Sequence, residues 1–196
     1  MDVEHMLAAA RDPSEALAET LDALAVELKW PKAPSFPCVP FGTWGEVVVL
    51  YCRGGHRALE GALGDPILRD FALSLLVEIG DEQSLEIVLR LAEQLELSNS
   101  DDLNVAHGVA SAINFLGRGG AGASAQSQWR ASEFLNRLLP VSREPGKVGV
   151  VPCALRFFGN DRSLPLIAAL PELPPAWRSV RKAAMRAIKK RVGPPA

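Results

Sequence analysis

The chain has 196 residues, of which 48% are hydrophobic and 22% are charged, and its formal net charge at pH 7 is −2. This length and composition are typical of a folded domain with a sizeable core, and they exclude an intrinsically disordered chain. The near-neutral charge disfavours binding of nucleic acid by an overall basic surface.

The first 42 residues predict one helix followed by an extended connector. A helix over 1–30 is indicated by the capping sequence Asp12-Pro13-Ser14-Glu15 and by leucines at helical spacing after it. Four prolines then fall within 31–42, where each removes a backbone donor and disfavours helix at the preceding residue. We expect this second segment to form a semi-rigid strap.

From residue 43 to 192 the pattern is helix after helix, separated by glycine- and proline-rich breaks. Alternate helices can be assigned as the first and second members of successive pairs. The predicted first helices span 56–63, 82–96, 124–139 and 161–170. The predicted second helices span 44–53, 65–79, 101–116, 145–158 and 175–191.

A short internal repeat supports this pairing. Gly54, Gly80 and Gly159 are each followed by three residues and then by Ala-Leu or Ser-Leu. Gly80, Gly117 and Gly159 also follow one another at close to the ~40-residue period of helical-pair repeats. Stacked units of this kind present extended surfaces to partners instead of a single cleft.

Two of the predicted second helices open with a common pattern of residues. Residues 65–72 read Asp-Pro, then a hydrophobic residue and Arg, then Ala, and residues 177–184 repeat most of this pattern. In this the chain resembles HEAT-like repeat proteins of the kind described in phycobilisome lyases. The resemblance implies an all-α fold, an α–α superhelix or HEAT-like solenoid of about four helical pairs. We treat 1–196 as a single domain.

The resemblance also implies that partners dock on the inner surface, which the second helices line. Polar residues on otherwise apolar second helices are therefore the predicted protein-binding positions, and they are Arg69, Asn104, His107, Asn114 and Arg156. We expect a non-enzymatic protein-binding module, a bacterial adaptor or an immunity-type inhibitor.

The charge distribution indicates a basic partner. Residues 60–102 contain eleven acidic side chains and only two arginines, whereas 172–191 contain seven basic side chains and one acidic one. An acidic middle segment would attract a basic protein. The partner expected from the sequence alone is therefore a protein, and a basic one.

A first alternative is sulfur transfer through Cys52. Residues 47–58 resemble the active-site strand and loop of rhodanese-type sulfurtransferases, in which a β-branched run delivers a cysteine into a loop rich in Gly and Arg. Arg53 or Arg57 would lower the pKa of the Cys52 thiol and favour a nucleophilic thiolate. Against this, the sequence predicts no sheet, and much of the loop recurs at Gly80 and Gly159.

A second alternative is nucleic-acid binding by the C-terminal helix. Resemblance to HEAT-like DNA glycosylases, which hold duplex DNA on positive second helices, would give this role to its cations. They are Arg178, Arg181, Lys182, Arg186, Lys189 and Lys190. The simpler interpretation is a capping helix with a polar outer face.

Location and cofactor chemistry follow from what the sequence contains. The first ten residues lack the basic and then apolar pattern of a secretory signal, and no segment approaches the ~20 apolar residues of a membrane span. The three cysteines have no Cys-x-x-Cys spacing, and no His and Glu are paired at helical spacing. We expect a cytoplasmic protein without metal or cofactor.

Three tryptophans, Trp30, Trp44 and Trp129, are expected to anchor the core.

Overall fold

A computed structural model describes residues 41–142, 147, 149–171 and 175–193. The predicted helix over 1–30, nearly all of the strap over 31–42, and Cys38 lie outside these residues. The described residues form eight α-helices and one short 3-10 helix, with no β-strand among them. The predicted all-α class is confirmed. The chain divides into two compact units, 1–79 and 80–196, which are described in turn.

The first unit contains helix α1 (Phe41–Ala62) and helix α2 (Arg69–Ile79), which pack against each other. Helix α1 is interrupted at Gly55, whose backbone has φ 57° and ψ −151°. Residues with a side chain rarely adopt this conformation, which explains why the break falls at a glycine. The two helical segments of α1, before and after Gly55, correspond to the helices predicted at 44–53 and 56–63.

Helix α2 begins four residues later than the sequence predicts. The Asp65 side chain accepts a hydrogen bond from the backbone N–H of Ile67 at 2.7 Å, which holds the chain in a turn before the helix starts. The predicted boundary at 65 was therefore wrong, although the end at Ile79 is confirmed. Trp44 packs edge-on against Phe71, with ring centroids 5.2 Å apart.

The second unit contains six α-helices, and each overlaps a predicted one. They are α3 (Glu82–Gln94), α4 (Ser100–Gly119), α5 (Ala125–Leu138), α6 (Val150–Phe158), α7 (Ser163–Ala168) and α8 (Pro175–Val192), with the 3-10 helix Leu139–Val141 after α5. Local capping explains three of the starts, because the side chains of Asp81, Asn99 and Ser124 each accept a hydrogen bond from a backbone N–H in the first turn.

Helices in the second unit contact one another in two sets. Helix α3 contacts α5 and α5 contacts α7, while α4 contacts α6 and α6 contacts α8. Contacts of α3 with α4, α5 with α6, and α7 with α8 join the sets. The core between them is apolar and fully buried, as Leu85, Ile113, Phe134, Leu155 and Ile188 show.

Helices α4 and α6 approach closely at a glycine. A Cβ atom added to Gly117 would lie 2.6 Å from the Phe158 ring and 2.8 Å from the Phe157 Cβ. No real side chain is accommodated at such distances without movement of a neighbour. Gly117 therefore sets how near α6 lies to the C-terminal turn of α4.

Trp129 corrects one of the sequence expectations. Its side chain is 59% exposed and does not belong to the core. Helix α5 buries a different face, carrying Ala131, Phe134, Leu135 and Leu138, and Trp129 lies outside that stripe.

Among the helices of the described ranges, none combines the length and apolar character needed to cross a membrane.

Candidate functional site

A cavity of about 600 Å³ lies where α4, α6 and α8 meet. All three helices coincide with predicted second helices, and each contributes lining residues. The lining consists of Asn114 and Arg118 from α4, Cys153, Arg156 and Phe157 from α6, and Ser179, Val180 and Ala183 from α8. The structure thus brings together two of the five predicted contact positions, Asn114 and Arg156.

Helical spacing explains how the lining is assembled. On each helix the lining residues recur at i, i+3 or i+4, so they share one face of that helix. Asn114 and Arg118 are separated by one turn of α4, and Cys153 is separated by one turn from Phe157 of α6. Since Gly117 has no side chain between these two faces, α6 can lie directly against α4.

The cavity combines positive charge with apolar surface. Arg118 and Arg156 both have exposed side chains, and none of the described lining residues is acidic. The guanidinium of Arg156 lies over the ring of Phe157, 5.6 Å from its centroid, as in a cation–π contact. Val180 and Ala183 add apolar surface from α8. This arrangement suits a ligand with both carboxylate and apolar groups.

Cys153 contributes volume and a thiol to the cavity. Burial raises the pKa of Cys153, and the charge of Arg156 lowers it only in part, so the net pKa is above its ordinary value of 9.0. The thiol therefore stays protonated at neutral pH, whereas a nucleophilic cysteine needs a lowered pKa. Cys153 is a lining residue here and lacks the lowered pKa of an activated cysteine.

Two arginines of α8 hold the ends of other helices. Arg181 donates a hydrogen bond to the backbone carbonyl of Leu170 at 3.2 Å, after α7. Arg191 donates to the carbonyls of Gly159 and Arg156, at 2.6 and 2.7 Å, at the end of α6. Helix ends leave carbonyl groups without intrahelical partners, and these guanidinium groups satisfy them. Part of the basic charge of α8 therefore has a structural role.

His107, another predicted contact position, lies in the core. Its side chain is only 8% exposed. Its ring Nδ1 lies 2.7 Å from the Leu103 carbonyl oxygen, and its Nε2 lies 2.9 Å from the hydroxyl oxygen of Ser142, which itself donates to the Leu138 carbonyl. These bonds join α4 to the residue that follows the 3-10 helix.

Arg69 and Asn104 are not among the described residues that line the cavity. Arg69 belongs to the first unit, where its Nε donates to the Leu63 carbonyl at 2.8 Å and closes the turn before α2. Asn104 is exposed near the start of α4, and its side-chain oxygen accepts from the Lys147 ammonium at 2.7 Å. Neither residue shares a site with Asn114 and Arg156.

The acidic middle segment is partly neutralised within the second unit. Arg130 of α5 binds Glu86 at 2.5 Å and Glu93 at 2.6 Å, both on α3. Burial raises the pKa of Glu86, but hydrogen bonds from Ser127 and Arg130, with the positive charges of Arg130 and Arg90, lower it more, so the net pKa is below its ordinary value of 4.5. These carboxylates hold α3 to α5.

Other acidic side chains of this segment bond to backbone N–H groups. Asp81 caps α3, and Glu82 accepts from the N–H of Ser124 at 3.1 Å. Asp102 accepts from the N–H of Glu96 at 2.9 Å. The electrostatic argument for a basic partner is weaker than the residue count suggests.

Cys52 lies in α1, and the residues before it from Val47 onward are helical. The sulfurtransferase alternative needs a β-strand at that place, and the described residues contain none. Nor do the described residues include a group of three or more His, Cys, Asp or Glu side chains placed to hold a metal ion.

Sequence reasoning missed most of the cavity lining. It singled out polar residues only, and so passed over Cys153, Phe157, Val180 and Ala183. Arg118 could have been found, because it lies one helical turn after Asn114 and shares its face. Which apolar residues stay accessible depends on how three helices meet, and no local pattern reveals that.

Comparison with known proteins gives no match, whether with a protein-family model, a curated protein or a solved structure. The functional argument therefore depends on the residues of this chain.

Proposed function

We propose that this chain is a non-enzymatic protein-binding module, a HEAT-like solenoid of about four helical pairs whose second helices form the docking face. The observation that carries the proposal is the cavity at the junction of α4, α6 and α8, which contains Asn114 and Arg156. An adaptor or an immunity-type inhibitor acting in the cytoplasm would use such a face.

The helix contacts of the second unit support the repeat part of the proposal. In a helical-pair repeat, first helices contact first helices and second helices contact second helices. The contacts α3–α5–α7 and α4–α6–α8 have this order. Gly80 and Gly159 both follow a second helix, and the serine four residues after each, Ser84 and Ser163, is fully buried.

The chemistry of the cavity supports recognition. Amide and guanidinium groups supply directional hydrogen bonds, and an accessible aromatic ring supplies contact area. The one ionisable thiol in the lining has a raised pKa. Residues of these types bind a partner without needing to transform it.

Affinity capture from native lysate of the source cells tests the proposal when paired variants are compared. We expect the wild-type chain to recover a protein that Asn114→Ala/Arg156→Ala loses. The control pair Gln128→Ala/Arg137→Ala changes two exposed positions on α5, a predicted first helix, and should retain it. Equal recovery by both double variants, or no partner even at low salt, would contradict the proposal.

A further inference from the structure

We infer that the cavity between α4, α6 and α8 binds an acidic peptide segment, with carboxylate side chains next to an apolar anchor residue. The inference rests on the proposed function and specifies its ligand. It reverses the partner charge that the sequence alone indicates.

Charge is the first observation. Arg118 and Arg156 both line the cavity with exposed side chains, and neither forms an ion pair with any residue that the structure describes. None of the lining residues that the structure describes is acidic. Guanidinium groups bind carboxylates through two parallel hydrogen bonds, so two arginines without a counter-ion among the described residues favour an acidic ligand.

The same charge continues along α8. Arg186 lies three residues after Ala183 and therefore extends the cavity-facing side of the helix by about one turn. Lys182 precedes Ala183 and so lies at the level of the cavity lining. Both side chains are exposed. A peptide longer than the cavity would meet further cations in this direction.

The volume and the apolar lining of the cavity indicate which kind of anchor residue it can hold. A volume of about 600 Å³ is within the range of small-ligand pockets and holds one or two large side chains. Phe157, Val180 and Ala183 supply the apolar contacts. A ligand that was only charged would leave this surface uncovered, so the segment should carry an aromatic or large aliphatic residue among its carboxylates.

Nucleic acid fits the cavity less well than a peptide does. Single-stranded nucleic acids gain affinity when bases stack on accessible aromatic rings. The Arg156 guanidinium already lies over one face of the Phe157 ring, so that face is not open for a base to stack on, although the rest of the ring can contact a side chain. Arg181 and Arg191 are engaged with backbone carbonyls, which reduces the cationic surface open to phosphates.

Fluorescence anisotropy with a defined probe tests the inference. The probe is a fluorescein-labelled peptide, Glu-Glu-Asp-Phe-Asp-Glu-Glu, and it is compared with a peptide in which lysine replaces every acidic residue and with a labelled single-stranded oligonucleotide. We expect only the acidic peptide to bind, with Arg118→Glu/Arg156→Glu weakening it by about tenfold or more. The control Arg57→Glu/Arg137→Glu makes the same charge change at exposed positions elsewhere and should leave binding within about twofold.

A second double variant, Arg118→Gln/Arg156→Gln, removes the two charges without reversing them and controls for misfolding of the charge-reversed variant. Its helical circular dichroism should match the wild type while its peptide affinity falls. Failure of the acidic peptide to bind, binding of the lysine peptide or the oligonucleotide with equal affinity, or equal weakening by both charge-reversed pairs would overturn the inference.

Alkylation of Cys153 gives a second readout, which maps where the peptide binds. Bound peptide should slow the reaction of iodoacetamide with Cys153, mapped by mass spectrometry, and leave Cys52 in the first unit unchanged. Binding without protection of Cys153 would place the peptide elsewhere and contradict the inference. If lysate capture succeeds through Asn114 and Arg156 but the acidic peptide fails, the proposed function stands and only the ligand class is wrong.

Discussion

Arg130 changes how the charge of the acidic middle segment, residues 60–102, should be interpreted. It lies on α5 and binds Glu86 and Glu93 of α3, with its own side chain only 14% exposed. A count of charges along 60–102 treats each carboxylate as surface charge. The fold instead pairs two of them with one guanidinium, so half of their charge is compensated before any partner approaches.

Glu86 should make the stability of the second unit depend on pH. Its pKa in the folded protein is below the ordinary value of 4.5, so its contribution is fully present above that pH and is lost as the pH falls through the lower folded pKa. We expect Glu86→Gln to reduce the free energy of unfolding at pH 7 by about 1 kcal/mol and to have less effect near pH 3. Urea unfolding followed by circular dichroism at the two pH values measures this.

Glu96→Gln is the matched control for Glu86, because it removes an acidic group of the same segment whose side chain is exposed. Its unfolding free energy should change by less than about 0.5 kcal/mol at either pH. A Glu86→Gln effect that is the same at pH 7 and pH 3 would show that the carboxylate charge contributes nothing.

His107 and Cys153 show the limits of prediction for single residues. A lone histidine on a predicted second helix can face a partner or the core, and the sequence does not distinguish the two. Only the folded structure shows that His107 contacts Leu103 and Ser142 and is buried. The sequence offered no role for Cys153, because nothing around it has a metal or disulfide spacing. Its position in the cavity follows from its place one helical turn before Phe157.

Among the elements, the helices themselves were largely predictable because their ends are encoded locally. Asp81, Asn99 and Ser124 are capping residues recognisable in the sequence, and they begin three helices of the second unit. The start of α2 was missed, since Asp65 uses its side chain to form a turn and not to cap the first helical residues. Capping and turn formation use the same residue types, so sequence alone does not separate them.

Gly117 should be required for the packing of α4 against α6. Alanine is a better helix former than glycine, yet its Cβ at this position would meet Phe157 and Phe158. We expect Gly117→Ala to destabilise the protein by about 1–3 kcal/mol because neighbouring side chains must move. Thermal or urea unfolding followed by circular dichroism measures the change.

Gly119→Ala provides a control in the same helix. A Cβ atom there meets nothing within 4 Å, so only helix propensity applies. The substitution should be neutral or stabilising by up to about 1 kcal/mol. Similar destabilisation by both alanines would mean that the close approach at Gly117 is unimportant.

For the whole molecule, the division into two compact units has a direct experimental consequence. Residues 80–196 contain their own buried core and helix contacts. We expect a fragment of these residues to be helical by circular dichroism and to unfold cooperatively in urea. A fragment that unfolds without a sigmoidal transition would show that this unit needs residues 1–79.

At this scale the all-helical character of the described residues was predictable, and the cavity was not. The cavity depends on Gly117 and on side chains from α4, α6 and α8 that are far apart in the sequence. That combination is a property of the assembled unit.

The tryptophans give the two units different optical signals. Trp44 is half-buried against Phe71 in the first unit, whereas in the second unit Trp177 lies against Gly149 and Trp129 is exposed to solvent. Emission from Trp129 is therefore already that of an indole in water and is open to collisional quenchers. Among these three tryptophans, a change in emission on unfolding must come chiefly from the more enclosed Trp44 and Trp177. Since Trp30 also belongs to the first unit, Trp30→Phe combined with either Trp44→Phe or Trp177→Phe would turn intrinsic fluorescence into a separate probe of each unit.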